Sequence, residues 1–123
     1  MGNQSVSGMH MNDDTVRISV SEDFSIAPAG RLKTDGPKSG EAFRCELLVP
    51  ALERAQHVTI NLDNTEGYGS SFLEEAFGGL VRDCGYSQKE LAGALEFISE
   101  EDPTIPDEIF SYISDAQHIA QSA

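Results

Sequence analysis

The stretch Val58-Thr-Ile-Asn-Leu62, then Asp63-Asn-Thr-Glu-Gly-Tyr-Gly69, then Ser70-Ser-Phe-Leu-Glu-Glu-Ala-Phe-Gly-Gly-Leu80 decides the fold. In its first part Val58, Ile60 and Leu62 alternate with Thr59 and Asn61, the two-residue period of a β-strand. In its last part Phe72, Leu73, Ala76, Phe77, Leu80 and Val81 recur at three- and four-residue intervals, the apolar stripe of a helix. The glycine-bearing turn between them joins a strand end to a helix start, the edge where α/β proteins place their sites.

Working outward, Val16, Ile18 and Val20 alternate with Arg17 and Ser19, which predicts a first strand. Residues 21–38 hold Pro28, Gly30, Gly36 and Pro37 among few apolar residues, a turn-rich passage expected to contain a short hairpin around Ala27 to Arg31. Phe43, Leu47, Leu48, Ala51, Leu52 and Ala55 then predict a helix, with Ser39 or Gly40 as its cap and Glu41 in its first turn. Pro50 is expected to kink it near the end. Beyond the central stretch, Gly85 reads as the left-handed residue that closes the second helix. Ser87-Gln-Lys-Glu90 is a capping box opening a short helix, and Leu95 to Ser99 reads as a strand. Thr104-Ile-Pro106-Asp107 starts a last helix, with Ile109, Ile113 and Ala116 on one face, running to about His118. The alternation of strands and helices implies an α/β fold: a mixed sheet with helices packed on it, spanning residues 15–120. Residues 1–14 show no period and read as a frayed tail or leader. Met1-Gly2 invites a myristoylation reading, but Val6 stands where that motif wants Ser or Thr.

The chain has 123 residues, 39 % apolar and 24 % charged, enough for one packed core. Its 8 basic and 21 acidic residues give a formal charge of -13, which repels phosphate backbones and anionic lipid. Nucleic acid and membrane surfaces are therefore poor partners, no apolar run reaches the length of a membrane span, and a cytoplasmic location is expected. Cys45 and Cys84 fit no metal spacing and are expected to be buried thiols. No metal and no cofactor is expected.

At the central turn, the amides and dipole of a helix N-terminus favour an anion, and Ser70 and Ser71 place two hydroxyls in that field. Ser71-Phe-Leu-Glu74 is also a capping box, which would give Ser71 a purely structural role and leave Ser70 the freer hydroxyl. Gly67 and Gly69 lack the third glycine of a dinucleotide fingerprint, and no Gly-Lys-Ser/Thr follows. The closing glycine of a nucleophile elbow is absent as well. His57 lies at the far end of its strand from Ser70, so His57, His10 and His118 read as solvated or capping residues. These observations point to a binding protein rather than an enzyme. Its expected contact surface is Gly67, Tyr68, Gly69, Phe72, Glu74 and Glu75. Gly78-Gly79 inside a helix costs roughly 1 kcal/mol per glycine relative to Ala, so close packing on the sheet or approach of a partner must want the missing side chains. Arg31, Lys33, Lys38 and Arg44 gather half the basic residues in one segment. Such residues are expected to be salt-bridged surface, with Arg31 and Arg44 the candidates to bind a phosphate or carboxylate instead, and with the same turn these two support an alternative reading as a small-molecule or nucleotide sensor.

The run Asp35-Gly-Pro-Lys-Ser-Gly-Glu-Ala-Phe-Arg44, followed by residues 70–80, resembles the bacterial STAS-like domain family of unknown function over about residues 15–118. That family is similar to the STAS domains of anti-sigma factor antagonists, in which a strand leads to Asp-Ser-Ser-Gly-Leu and a helix, and a serine is phosphorylated by a partner kinase. The resemblance implies a signalling adaptor with Ser71 at the phosphoacceptor position, Ser70 before it, and an ATP-binding kinase-like protein as partner. Here Gly69 stands where that motif has Asp, and Phe72 where it has Gly.

Overall fold

The computed structural model describes residues 14–122. The expected tail, apart from Asp14, and the myristoylation reading lie outside the described residues. Strand β1 (Thr15–Ser19) is followed by a π-helical turn, Val20–Phe24, in which Val20 and Phe24 are buried. Helix α1 covers residues 40–54 as an α-turn Gly40–Phe43, a π-turn Arg44–Leu48 and a last α-segment Val49–Arg54. Strand β2 (His57–Asn61) leads to helix α2, residues 70–82, built in the same way from Ser70–Leu73, a π-turn Glu74–Gly78 and Gly79–Arg82. Helix α3 (Gln88–Ala94), strand β3 (Leu95–Ile98) and helix α4 (Ile105–Ser122) complete the described chain. The last helix runs four residues past the expected His118.

The strands pair in the order β1-β2-β3, and both pairings are parallel. A mixed sheet was expected; the connections made by α1, and by α2 with α3, instead return each strand in the direction of the one before, as parallel pairing requires. Ile18 stands beside Ile60, and Ile60 beside Phe97. Phe97 meets Phe77 of α2 and Phe110 of α4 edge-on, each at 5.6 Å between ring centroids. The helices thus cover the face carrying Ile18, Val58, Ile60 and Phe97. Alternation puts the rows Arg17, Thr59, Glu96 and Ser19, Asn61, Ile98 on the other face. Under the helices one continuous core includes Val20, Phe43, Leu48, Val58, Ile60, Phe77, Leu80, Leu91, Ile109 and Ile113, all fully buried.

Local chemistry explains most boundaries. Ser39 caps α1 by accepting the Ala42 N–H at 3.1 Å, which settles the choice between Ser39 and Gly40. The π-turn of α1 widens the helix just ahead of Pro50, whose ring would otherwise press on the carbonyl four residues earlier. Gly85 has φ 81 and lets Tyr86 donate to the Leu80 carbonyl at 3.0 Å, ending α2. The Ser87 capping box forms as expected, with Glu90 N–H to Ser87 Oγ at 3.0 Å and Ser87 N–H to Glu90 Oε1 at 2.8 Å.

Two other expectations fail. Ala27 to Arg31 is not a hairpin. It belongs to a loop clipped shut by Ala29 N–H to Lys38 O (2.9 Å), Gly40 N–H to Gly30 O (2.9 Å) and Glu41 N–H to Arg31 O (3.0 Å), with a 3-10 turn at Lys33–Asp35. The paired backbone there serves to seat the start of α1. Cys45 and Cys84 are both exposed rather than buried. Cys45 sits on the outer side of α1, next to a buried arginine, and Cys84 lies where α2 ends, so neither reaches the apolar stripe.

Candidate functional site

The turn between β2 and α2 is held on all sides. Asn61 Oδ1 accepts the Asp63 N–H at 2.9 Å, and the Asp63 carboxylate accepts the N–H groups of Glu100 and Glu101 at 3.1 and 2.9 Å. Asn64, with φ 69, donates its N–H to Glu101 Oε1 at 2.9 Å, and Glu66 donates to the Ile26 carbonyl at 2.7 Å. Gly67 has φ 118, a conformation that side chains disfavour, and donates to Thr65 Oγ1 at 3.2 Å. Tyr68 lays its ring against Phe72 (5.9 Å) and donates its hydroxyl to the Leu62 carbonyl at 2.8 Å. Burial pushes the Tyr68 phenol up to about 12.

At the end of this rigid turn, Gly69 is the N-cap of α2 and contributes no side-chain bond. Ser70 and Ser71 are exposed in the first helical turn. The expected Ser71–Glu74 capping box does not form. Helix α2 starts two residues earlier than that box requires, and the Glu74 carboxylate is turned toward arginines instead. Gly67 and Gly69 are exposed, as a contact surface needs. Phe72 is not part of that surface: it is 2 % exposed and joins Phe24 and Phe43 in the core, at 6.3 and 5.9 Å. The position where the related motif has glycine is therefore filled by a core side chain.

Behind the serines lies an ionic lattice: the salt bridges expected of Arg31 and Arg44 form, with Glu74 and Glu75 as partners that the sequence alone does not assign. Arg31 Nη1 reaches Glu74 Oε1 at 2.5 Å and Glu75 Oε1 at 3.3 Å. Arg82 reaches the same two carboxylates, Glu74 at 2.5 Å and Glu75 at 3.4 Å. Arg44, 4 % exposed, donates to the Glu75 backbone carbonyl and to Glu75 Oε2 at 3.0 Å, and lies 3.5 Å from Asp83. Burial disfavours an ionised Glu74, but hydrogen bonds from Arg31 and Arg82 outweigh it and hold the carboxyl below its ordinary value. Hydrogen bonding to Glu74 raises Arg31; burial opposes the charge on Arg44, and Glu75 more than restores it.

Three expectations are corrected by this lattice. Arg31 and Arg44 are ion-paired within the fold, as the salt-bridge reading expected, and not held open for an external anion. Glu75, 6 % exposed, is a buried partner of Arg44 and not a surface contact, while Glu74 is half-buried between two arginines. The glycine pair serves the same lattice rather than the sheet or a partner. A Cβ on Gly79 would overlap Arg44 Nη1 and lie 2.7 Å from Cζ, and one on Gly78 would lie 2.7 Å from Glu74 Oε2. Gly78-Gly79 was the one signal in the sequence from which a buried arginine could have been inferred. A Cβ on Gly40 would likewise overlap the Phe72 carbonyl oxygen and sit 3.1 Å from the Ala76 nitrogen, so α1 and α2 touch backbone to backbone there.

Among the described residues no cluster of three or more His, Cys, Asp or Glu could hold a metal ion, and no helix is long and apolar enough to cross a membrane. No curated protein and no solved structure matches the chain. A family model described as a STAS-like domain of unknown function (DUF4325) matches residues 39–104, more than half the chain, from the cap of α1 to the start of α4. The chain with this strand-turn-helix edge belongs to the STAS-like domain family of unknown function.

Proposed function

We propose that the protein is a non-enzymatic interaction switch of the cytoplasm that docks a protein partner through the edge at Gly67 to Glu74 and is controlled by phosphate on Ser71 or Ser70. One observation carries the reading: both serines are exposed in the first turn of α2, and neither is engaged as its cap. Their surroundings are fixed by Tyr68, Phe72 and the Asp63 bonds, so a modification there changes the surface without the turn absorbing it. A phosphate brings about two negative charges and favours a helix N-terminus. It would share one helix face with Glu74, three residues on from Ser71 and four from Ser70. Arg31, 40 % exposed and paired with Glu74, is then the cation for which the new charge competes. The switch is a redistribution of arginine contacts at the docking edge.

The partner this reading calls for is an ATP-binding kinase-like protein. Incubating the two with ATP and magnesium, followed by intact-mass measurement and gel filtration, tests it. The expected outcome is a complex whose stability differs between the wild type and Ser71→Asp, with a mass gain of one phosphate that Ser71→Ala, Ser70→Ala or both together remove. The absence of both a complex and a mass gain would count decisively against the reading.

A further inference from the structure

The sheet face away from the helices holds a cavity of about 260 Å³ at the carboxyl ends of the strands. Residues of all three strands and of the turn after β1 line it, among them Arg17, Ser19, Glu22, Asp23, Thr59 and Asn61. The lining is divided by charge. Arg17 stands on β1 and has no ion-pair partner among the described residues, although the chain carries a formal charge of -13. Glu22 and Asp23 face it from the turn, where Asp23 Oδ2 accepts the Ser19 N–H at 2.7 Å. Arg17 and Ser19 are two residues apart on one strand, about 7 Å along it. Opposite charges thus stand at the two ends of the cavity without closing on each other.

Thr59 stands directly opposite Arg17 on the central strand, and Asn61 opposite Ser19. Thr59 lines the cavity, and its hydroxyl bonds no other group among the described residues, so it is open to a ligand. Beside it Asn61 uses its Oδ1 on the Asp63 N–H, which leaves its amide N–H groups to donate elsewhere.

We propose that this cavity is a binding site for a small zwitterion, a free α-amino acid, with its carboxylate on Arg17 and Thr59 and its ammonium on Asp23 and Glu22. A simple anion would meet the two carboxylates and the overall negative field, and a simple amine would leave Arg17 unanswered. Only a ligand bearing both charges satisfies both walls. The site is separate from the serine edge and does not rest on the switch reading.

The test is a backbone amide NMR titration of the full chain with each of the common α-amino acids at millimolar concentration, with acetate and methylamine as single-charge controls. The expected result is saturable shifts at Arg17, Ser19, Thr59 and Asn61 for at least one amino acid, with neither control competing. Arg17→Gln and Glu22→Gln, both surface changes that leave the core intact, should each weaken binding by roughly tenfold, the loss of one charged hydrogen bond. No saturable shift with any amino acid overturns the proposal. So do binding unaffected by both variants and controls that bind as well as the amino acid.

Discussion

Replacing Gly79 by Ala should destabilise the protein, against the usual sign of that substitution in a helix. In an exposed helix interior, Gly→Ala gains about 0.5–1 kcal/mol because the unfolded chain has less freedom to lose. At Gly79 the new Cβ would occupy the place of Arg44 Nη1 and crowd its Cζ at 2.7 Å. Arg44 is 4 % exposed and cannot swing into water without abandoning the Glu75 carboxylate, itself 6 % exposed, and the Glu75 carbonyl. Breaking a buried pair while one partner stays buried costs about 3–5 kcal/mol. Less the propensity gain, the net loss is about 2–4 kcal/mol, and at a urea slope of about 2 kcal/mol/M the unfolding midpoint falls by roughly 1–2 M. Gly93→Ala in α3 is the internal control, since a Cβ there meets nothing within 4 Å, and it should raise the midpoint slightly. A Gly79→Ala protein as stable as wild type, or more so, would refute the claim that the glycine exists to admit the arginine.

Ser87→Ala should cost about 1 kcal/mol in the same urea assay, because it removes a formed capping box, whereas Ser71→Ala should stay within about 0.5 kcal/mol. Equal losses would restore the structural role of Ser71. The pH dependence follows from Glu74, whose folded carboxyl titrates below its ordinary value of 4.5. Between those two values the unfolded chain binds the proton and the native one does not, so the stabilisation is complete above 4.5 and is lost as pH falls through the folded value. Urea midpoints measured from neutral pH down to the acid limb should therefore fall less steeply for Glu74→Gln than for wild type below 4.5.

What could be read in advance followed from periods and local bonds. The alternation at Val58, Ile60 and Leu62 and the stripe from Phe72 to Val81 express burial directly, so both elements were legible, and the Ser87 box is complete within four residues. The Ser71 box has the same letters, but its glutamate is claimed by Arg31, 43 positions away, and a local motif carries no trace of a distant competitor. Arg44 was expected at the surface because arginine is seldom buried unless paired, and its pairing with Glu75 is a property of two helices rather than of either sequence. Phe72 was read as a contact residue from a motif position, although its place in the α2 stripe already gave it to the core. The polar cavity escaped notice because its residues come from three separate strands.

The parallel sheet also governs how the chain can assemble. Each strand finds its neighbour only across about 40 residues, since Thr15 pairs with His57 and Val58 with Leu95, and the described sheet contains no hairpin to form first. Loop closure over that span loses entropy before any ladder bond returns it. The contact of Gly40 with Phe72 and Ala76 brings α1 and α2 together backbone to backbone, and each of these helices bridges a gap between strands that a turn cannot. A nucleus that joins the two helices would set β2 beside β1 as a by-product, making the glycine that lets them touch as much a kinetic residue as a structural one.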